Sequence, residues 1–321
     1  PSLHAVEKFY GFNDINDKNY LTITDKMKEC NKPGIYEKVL KDACGIHMVL
    51  NQCQKTRLNT SLMTPIMYMP LIEEDGPVTW QKLNCPYFKP DACINTLDEY
   101  IHEVAAYLKK VVSDGSVAIK ICSYAYGAPD RFKAKQVFNS LRSGKKREYP
   151  IENPLTDYIL DYLAGFAAEY DIVVCVHSGY WGDFRKTAST LMIPVFQRYP
   201  EVRFDLYHLG IPQTRDTLLI AKNFSNVWVN FCWLHAISEK IAADAVSEAI
   251  DLVPMNKVLA FGGDYLYSIE NVYGHLVMAR ENIASGFAKK VEDGYMTISQ
   301  AVDQARKWFW SNPVDLYKLA I

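Results

Sequence analysis

The chain has 321 residues, 49% hydrophobic and 22% charged, which is enough apolar material for one large core or two ordinary ones. Its net charge of −2 gives no electrostatic footprint for nucleic acid or an anionic membrane surface, so neither is an expected partner. No apolar run approaches the ~20 residues that span a bilayer, and eight scattered cysteines without a CxxC pair read as reduced residues of a cytoplasmic protein.

The N-terminal "PSLHAVEKFYG" has neither the basic start nor the apolar centre of a signal peptide, and it begins with Pro. Residues 1–43 read as a polar, helical lead-in without a strand. From residue 44 onward, strand-length apolar runs alternate with amphipathic stretches. The expected strands are Gly45–Asn51, Leu62–Pro70, Ser116–Cys122, Ile172–His177, Arg203–His208, Val227–Phe231 and Val258–Asp264. Most are β-branched and show little polar alternation, as parallel strands covered on both faces should. Between them, Leu97–Val112 places Ile101, Val104, Leu108 and Val111 on one helical face. Later stretches behave alike, and "TISQAVDQARKWFWSN" forms a closing helix. Residues 76–95, with three prolines nearby or within, and 123–154, with the basic run "SGKKREYP", read as loop insertions. A disulfide between Cys85 and Cys93 is compatible with the spacing but is not required.

Repeated strand–helix alternation predicts a parallel α/β fold. The absence of GxGxxG and P-loop motifs weighs against a nucleotide-binding sheet. Seven strands are one short of a (β/α)8 TIM barrel, and a doubly wound sheet tolerates six or seven; with residues 1–321 read as a single domain, either the barrel's first strand is missing or lies upstream of Pro1, or the fold is not a closed barrel.

The chemistry-bearing residues cluster at strand ends. Lys120 lies near the end of its strand, and His177, His208 and Asp264 each end one. In a barrel the strand C-termini open on one face, where reacting groups collect. Two imidazoles and a carboxylate there form a ligand set for a divalent metal, most fittingly Zn²⁺. Such a metal acidifies a bound water and polarises a substrate carbonyl, while Asp264 both ligates and accepts the proton. His47 is read as a core histidine, His102 as solvated, His275 as structural, and His235 as a further pocket candidate.

The segments "VCVHSG", "FDLYHLG", "NVWVNFCW", "VLAFGGD" and "WFWSNPVDLYKL", in this order and spacing, resemble the amidohydrolase-related (amidohydrolase 2) metal-dependent hydrolases. The nearest likeness is to the branch containing uronate isomerases and the amidohydrolase domains fused to glutamine-synthetase-like proteins. "NKPGIYEKVLKDACGIHMVLNQC" fits that branch as the lead into the second strand. The resemblance implies a TIM barrel in which His177 is the fifth-strand metal ligand and His208 the sixth-strand histidine, as a ligand or a substrate-polarising group. It makes Asp264 the eighth-strand ligand and general acid/base. Lys120 would line the pocket as a cation for a substrate carboxylate, its competing reading being a rim salt bridge.

The characteristic first-strand His-x-His of that family is not found in this chain, and "GGD" stands where glycine-serine-aspartate is usual. Tyr180, Trp181 and Arg185, on the loop after His177, and Tyr265 and Tyr267, after Asp264, are expected to shape substrate binding. The implied activity is a hydrolase using a metal-activated water on a small carboxylated or sugar-derived molecule. Isomerisation of a uronate, non-oxidative decarboxylation, or an inactive ligand-binding barrel are the competing readings. Barrels of this kind often self-associate, so a homo-oligomer is expected.

Overall fold

Runs such as "VVCV" leave no polar side chain to turn toward water, and in the computed structural model Val173 to Val176 are all fully buried in a parallel strand. Burying each valine contributes on the order of 1.5–3 kcal/mol. The structure describes residues 1–52, 59–68, 94–143, 153–181, 183–266 and 268–321. Among them are seven strands: β1 (Val49–Gln52), β2 (Met63–Tyr68), β3 (Ala118–Cys122), β4 (Val173–His177), β5 (Phe204–Tyr207), β6 (Val227–Asn230) and β7 (Val258–Leu259). Their order in the sheet follows their order in the chain. β2, β3, β4 and β5 pair in parallel, as do β6 and β7.

The chain divides into two compact units. One comprises Pro1–Val49, Asn59–Met63 and Val229–Val314; the other comprises Leu50–Leu58, Thr64–Trp228 and Asp315–Ile321. In the first, the lead-in is helical as expected, with helices Ser2–Tyr10 and Tyr20–Cys30 and a π-helical turn at Glu37–Ala43. The long helix Asn271–Glu292 packs on Glu239–Leu252, where Gly286 permits the approach: a Cβ there would stand 2.3 Å from Val246 Cγ1. In the second unit, helix Leu97–Ser113 begins at a capping box between Thr96 and Glu99. It buries Val104, Leu108 and Val111, with Tyr100 and Tyr107 taking the place expected for Ile101.

Four expectations need correction. The segment 123–154 is not simply a loop: Asp130 caps a helix at Arg131–Arg142 by accepting from the amides of Phe132 and Lys133. Ala134, Val137, Phe138 and Leu141, at helical spacing, form its buried face. His47 is exposed rather than core, with its ring edge-on to Trp310 at 5.3 Å, because the first strand starts only at Val49. The strand expected to run to Asp264 ends at Leu259, and Ala260 instead donates its amide to the Trp308 carbonyl. Finally, His208 lies just past β5 rather than within it. Residues 76–93, Cys85 and Cys93 with them, lie outside the described residues, as does Tyr267. Among the described residues, Cys30, Cys44, Cys122, Cys175 and Cys232 form no disulfide. No helix among the described residues is long and apolar enough to cross a membrane.

Candidate metal centre

Side chains two apart on a strand share a face, and the parallel register aligns them across strands. Lys120, Cys175 and Asp205 form one row over β3, β4 and β5; Cys122, His177 and Tyr207 form the next, toward the strand C-termini. The lower row is polar yet buried. Lys120 is 6% exposed and holds its ammonium 4.8 Å from the centre of the Tyr207 ring. Its place is therefore inside the strand row, not on a rim. Asp205 is fully buried and accepts from the Tyr317 hydroxyl at 2.5 Å, and that hydroxyl also meets Cys175 Sγ at 3.2 Å. Burial, with Asp205 beside it, pushes the Cys175 thiol up to about 12 and the Tyr317 phenol well above its usual range. Asp205 and Tyr317 escaped the sequence reading, although a carboxylate inside the apolar run "RFDLY" was a visible signal.

The upper row carries the histidine pair. His177 ends β4, its carbonyl accepting from the Ser123 amide at 2.8 Å. Past β5, His208, Leu209 and Gly210 take φ values of +62°, +48° and +58°. For the two non-glycine residues this left-handed backbone costs about 1–2 kcal/mol each, a cost that persists where surrounding structure enforces it. Here the enforcement is visible. Ser178 Oγ donates to the Tyr207 carbonyl at 2.8 Å. Gly179, at φ +84°, lies so close that a Cβ would stand 2.2 Å from the Ile211 carbonyl oxygen. The result turns a fully buried His208 ring toward His177, with Nε2 of the former 3.0 Å from Nδ1 of the latter and ring centroids 4.7 Å apart.

That separation bears on what the pair can hold. Two imidazole nitrogens at 2.0–2.1 Å from one tetrahedral zinc stand about 3.3 Å apart, so the pair needs to open by only a few tenths of an ångström. Ligation requires both facing nitrogens to be unprotonated. The donor set therefore fits a borderline divalent ion.

The loop that follows is closed at its neck, where Gly179 donates to the Thr187 carbonyl at 2.7 Å and Thr187 Oγ1 donates back to the Gly179 carbonyl. Tyr180 and Trp181 project from it, 50% and 67% exposed. Arg185 folds onto its own loop, making two 2.8 Å contacts with the Asp183 carboxylate, whose acid form is held down to about 2 by that guanidinium.

Asp264 and Tyr265 belong to the other unit. Asp264 is exposed on the segment after β7, at φ +50°. Tyr265 is half-buried, its hydroxyl hydrogen-bonded to His275 Nδ1 at 3.2 Å. His235, the further candidate, lies in the same unit as Asp264. It is fully buried, with Nε2 3.1 Å from the Ala260 carbonyl and Nδ1 3.1 Å from Asn282 Nδ2. Burial lowers its pKa to about 4. His275 is also fully buried and is pushed down to about 3, by burial first and His235 second.

Residues 141–319, more than half the chain, match the model of the amidohydrolase family. The protein fluG of Emericella nidulans is 27% identical over 123 residues, which are 38% of this chain and 14% of that protein's length. Among solved structures, the uronate isomerase of Thermotoga maritima superposes with a TM-score of 0.77 at 15% identity, covering 98% of this chain and 77% of that one. The glucuronate isomerase of Caulobacter crescentus gives 0.74 at 13% identity, over 99% and 74% of the two chains. A Lactobacillus casei protein assigned to the metal-dependent hydrolases gives 0.74 at 16%, over 98% and 82%. These likenesses speak to the fold, which is α/β of the (β/α)-barrel type.

Proposed function

This chain belongs to the amidohydrolase family, and on that premise we propose that it is a metal-dependent hydrolase of a small carboxylated or sugar-derived molecule. His177, His208 and Asp264 are the residues that would hold the ion, most fittingly Zn²⁺, as a two-histidine, one-carboxylate set. The observation that carries the reading is the convergence of the His177 and His208 nitrogens at 3.0 Å beside the strand ends. When bound, the metal acidifies a water and polarises the scissile carbonyl.

The protein's own groups do the rest. The Asp264 carboxylate takes the proton that the attacking water loses and returns it to the leaving group. His208, held by its left-handed turn, serves as a ligand to the ion or, in the alternative, polarises the substrate oxygen. Lys120 supplies positive charge from the buried row for a substrate carboxylate. Tyr180 and Trp181 offer apolar surface to the substrate body, Tyr265 adds its ring, and Arg185 is available to grip an anion once it releases Asp183. The reading places the protein in the cytoplasm as one barrel domain that self-associates. Described cysteines that form no disulfide are in keeping with that reducing setting, and light scattering tests the assembly.

The deciding experiment is metal analysis of zinc-loaded protein, followed by a screen of lactones, uronates and aromatic carboxylates. About one equivalent of zinc is expected, with loss of both metal and activity in His177→Asn and Asp264→Asn. Less than about a tenth of an equivalent would leave only an inactive binding barrel. Turnover of uronates to ketose acids, or release of CO₂, would replace hydrolysis by isomerisation or decarboxylation at the same residues.

A further inference from the structure

Asp264 sits in a backbone conformation that needs holding. At φ +50° it pays about 1 kcal/mol relative to ordinary regions, although aspartate tolerates this region better than most residues. Its neighbours do the holding. The Tyr265 side chain folds back over Gly263, two positions earlier, so that a Cβ there would lie 3.0 Å from Tyr265 Cζ and 3.2 Å from both Cε atoms. A side chain at 263, such as the serine of glycine-serine-aspartate, would crowd this ring and require it to shift by a few tenths of an ångström.

The ring is fixed at its far end by the 3.2 Å bond between its hydroxyl and His275 Nδ1. His275 cannot yield readily. It is fully buried on the helix Asn271–Glu292, with the Phe261 ring 5.0 Å away and the His235 ring at 6.1 Å. Its depressed pKa, due mainly to burial, keeps it neutral at ordinary pH.

We propose that His275 is a positioning residue for Asp264: by fixing the Tyr265 hydroxyl it clamps that ring over Gly263 and holds the turn that aims the carboxylate. This rests on the reading of Asp264 as a metal ligand and proton carrier. The consequence is a site tuned from a helix whose histidine never meets the ion or the substrate. Partners that orient a ligand typically change metal affinity 10–100-fold when removed.

The test is zinc affinity, measured by competition with a chromophoric chelator, alongside thermal unfolding of each variant. Tyr265→Phe keeps the ring and removes only the hydroxyl, and is expected to weaken zinc about 10-fold. His275→Leu is expected to do the same, and the double variant to be no weaker than either single one, because both break one linkage. His275→Asn, which presents a donor or acceptor near the Nδ1 position, is expected to stay within about threefold of the native protein.

Multiplying effects in the double variant, or unchanged zinc affinity in Tyr265→Phe, would overturn the proposal and leave His275 a packing residue. Should His275→Leu fail to fold, Tyr265→Phe and His275→Asn still decide. A native protein that binds no zinc would instead overturn the metal reading itself and this inference with it. Native binding with indifferent variants overturns only the clamp.

Discussion

At the scale of single residues, the histidine pair depends on atoms that are missing as much as on those present. Gly179 has backbone on the far side of where its Cβ would be, 2.2 Å from one carbonyl oxygen, and its φ is +84°. Gly179→Ala should therefore cost about 1–3 kcal/mol, read as a lower urea midpoint. It should also loosen zinc, since His208 loses its abutment. An alanine variant with native stability and native zinc affinity would show that the loops yield without effect. The sequence made His177 and His208 legible because an imidazole closing an apolar run is conspicuous. It could not disclose the left-handed turn at His208 and Leu209, which Ser178 and Gly179 brace from a segment distant in sequence. Nor did it expose the role of Tyr265: a hydroxyl bound to His275, ten positions along the chain, is a tertiary fact.

At the scale of elements, helical spacing served well and strand ends less so. Helix Leu97–Ser113 was readable from its apolar spacing, while the helix at Arg131–Arg142 was hidden by the prolines and basic residues around it. β7 ends early because the Ala260 amide is drawn to Trp308, a partner distant in sequence. The helix Asn271–Glu292 brings His275 and Asn282 onto buried ground, where His235 joins them. Their folded-state pKa values, about 3 for His275 and about 4 for His235, lie below the 6.5 of the unfolded chain. The unfolded chain thus binds more protons across that interval, and stability must fall as pH drops from 6.5 toward these values. At about pH 4.5 each histidine should cost on the order of 2–3 kcal/mol relative to neutral pH. Urea midpoints at the two pH values check this, and His235→Gln, which cannot take the proton, should lose less on acidification. An equal loss in that variant would locate the acid sensitivity elsewhere.

At the scale of the whole molecule, the alternation of strands and helices was enough to read a parallel α/β barrel. The ordered set of short segments was enough to read the family, which the match over residues 141–319 bears out. Reaction and substrate were not legible at this scale, because one barrel serves many chemistries. Metal linkage is the global test of the site. At a free zinc concentration about 100 times the dissociation constant, the folded state gains about 2.7 kcal/mol, enough to raise Tm by a few degrees. Chelation should reverse the rise, and a Tm indifferent to both treatments would speak against an ion bound to the native chain. The neck between Gly179 and Thr187 closes the loop that follows His177 in the chain. On the proposed reading, substrate choice would be written in Tyr180, Trp181 and Arg185, within the loop that this neck closes, and metal binding in the paired nitrogens ahead of it.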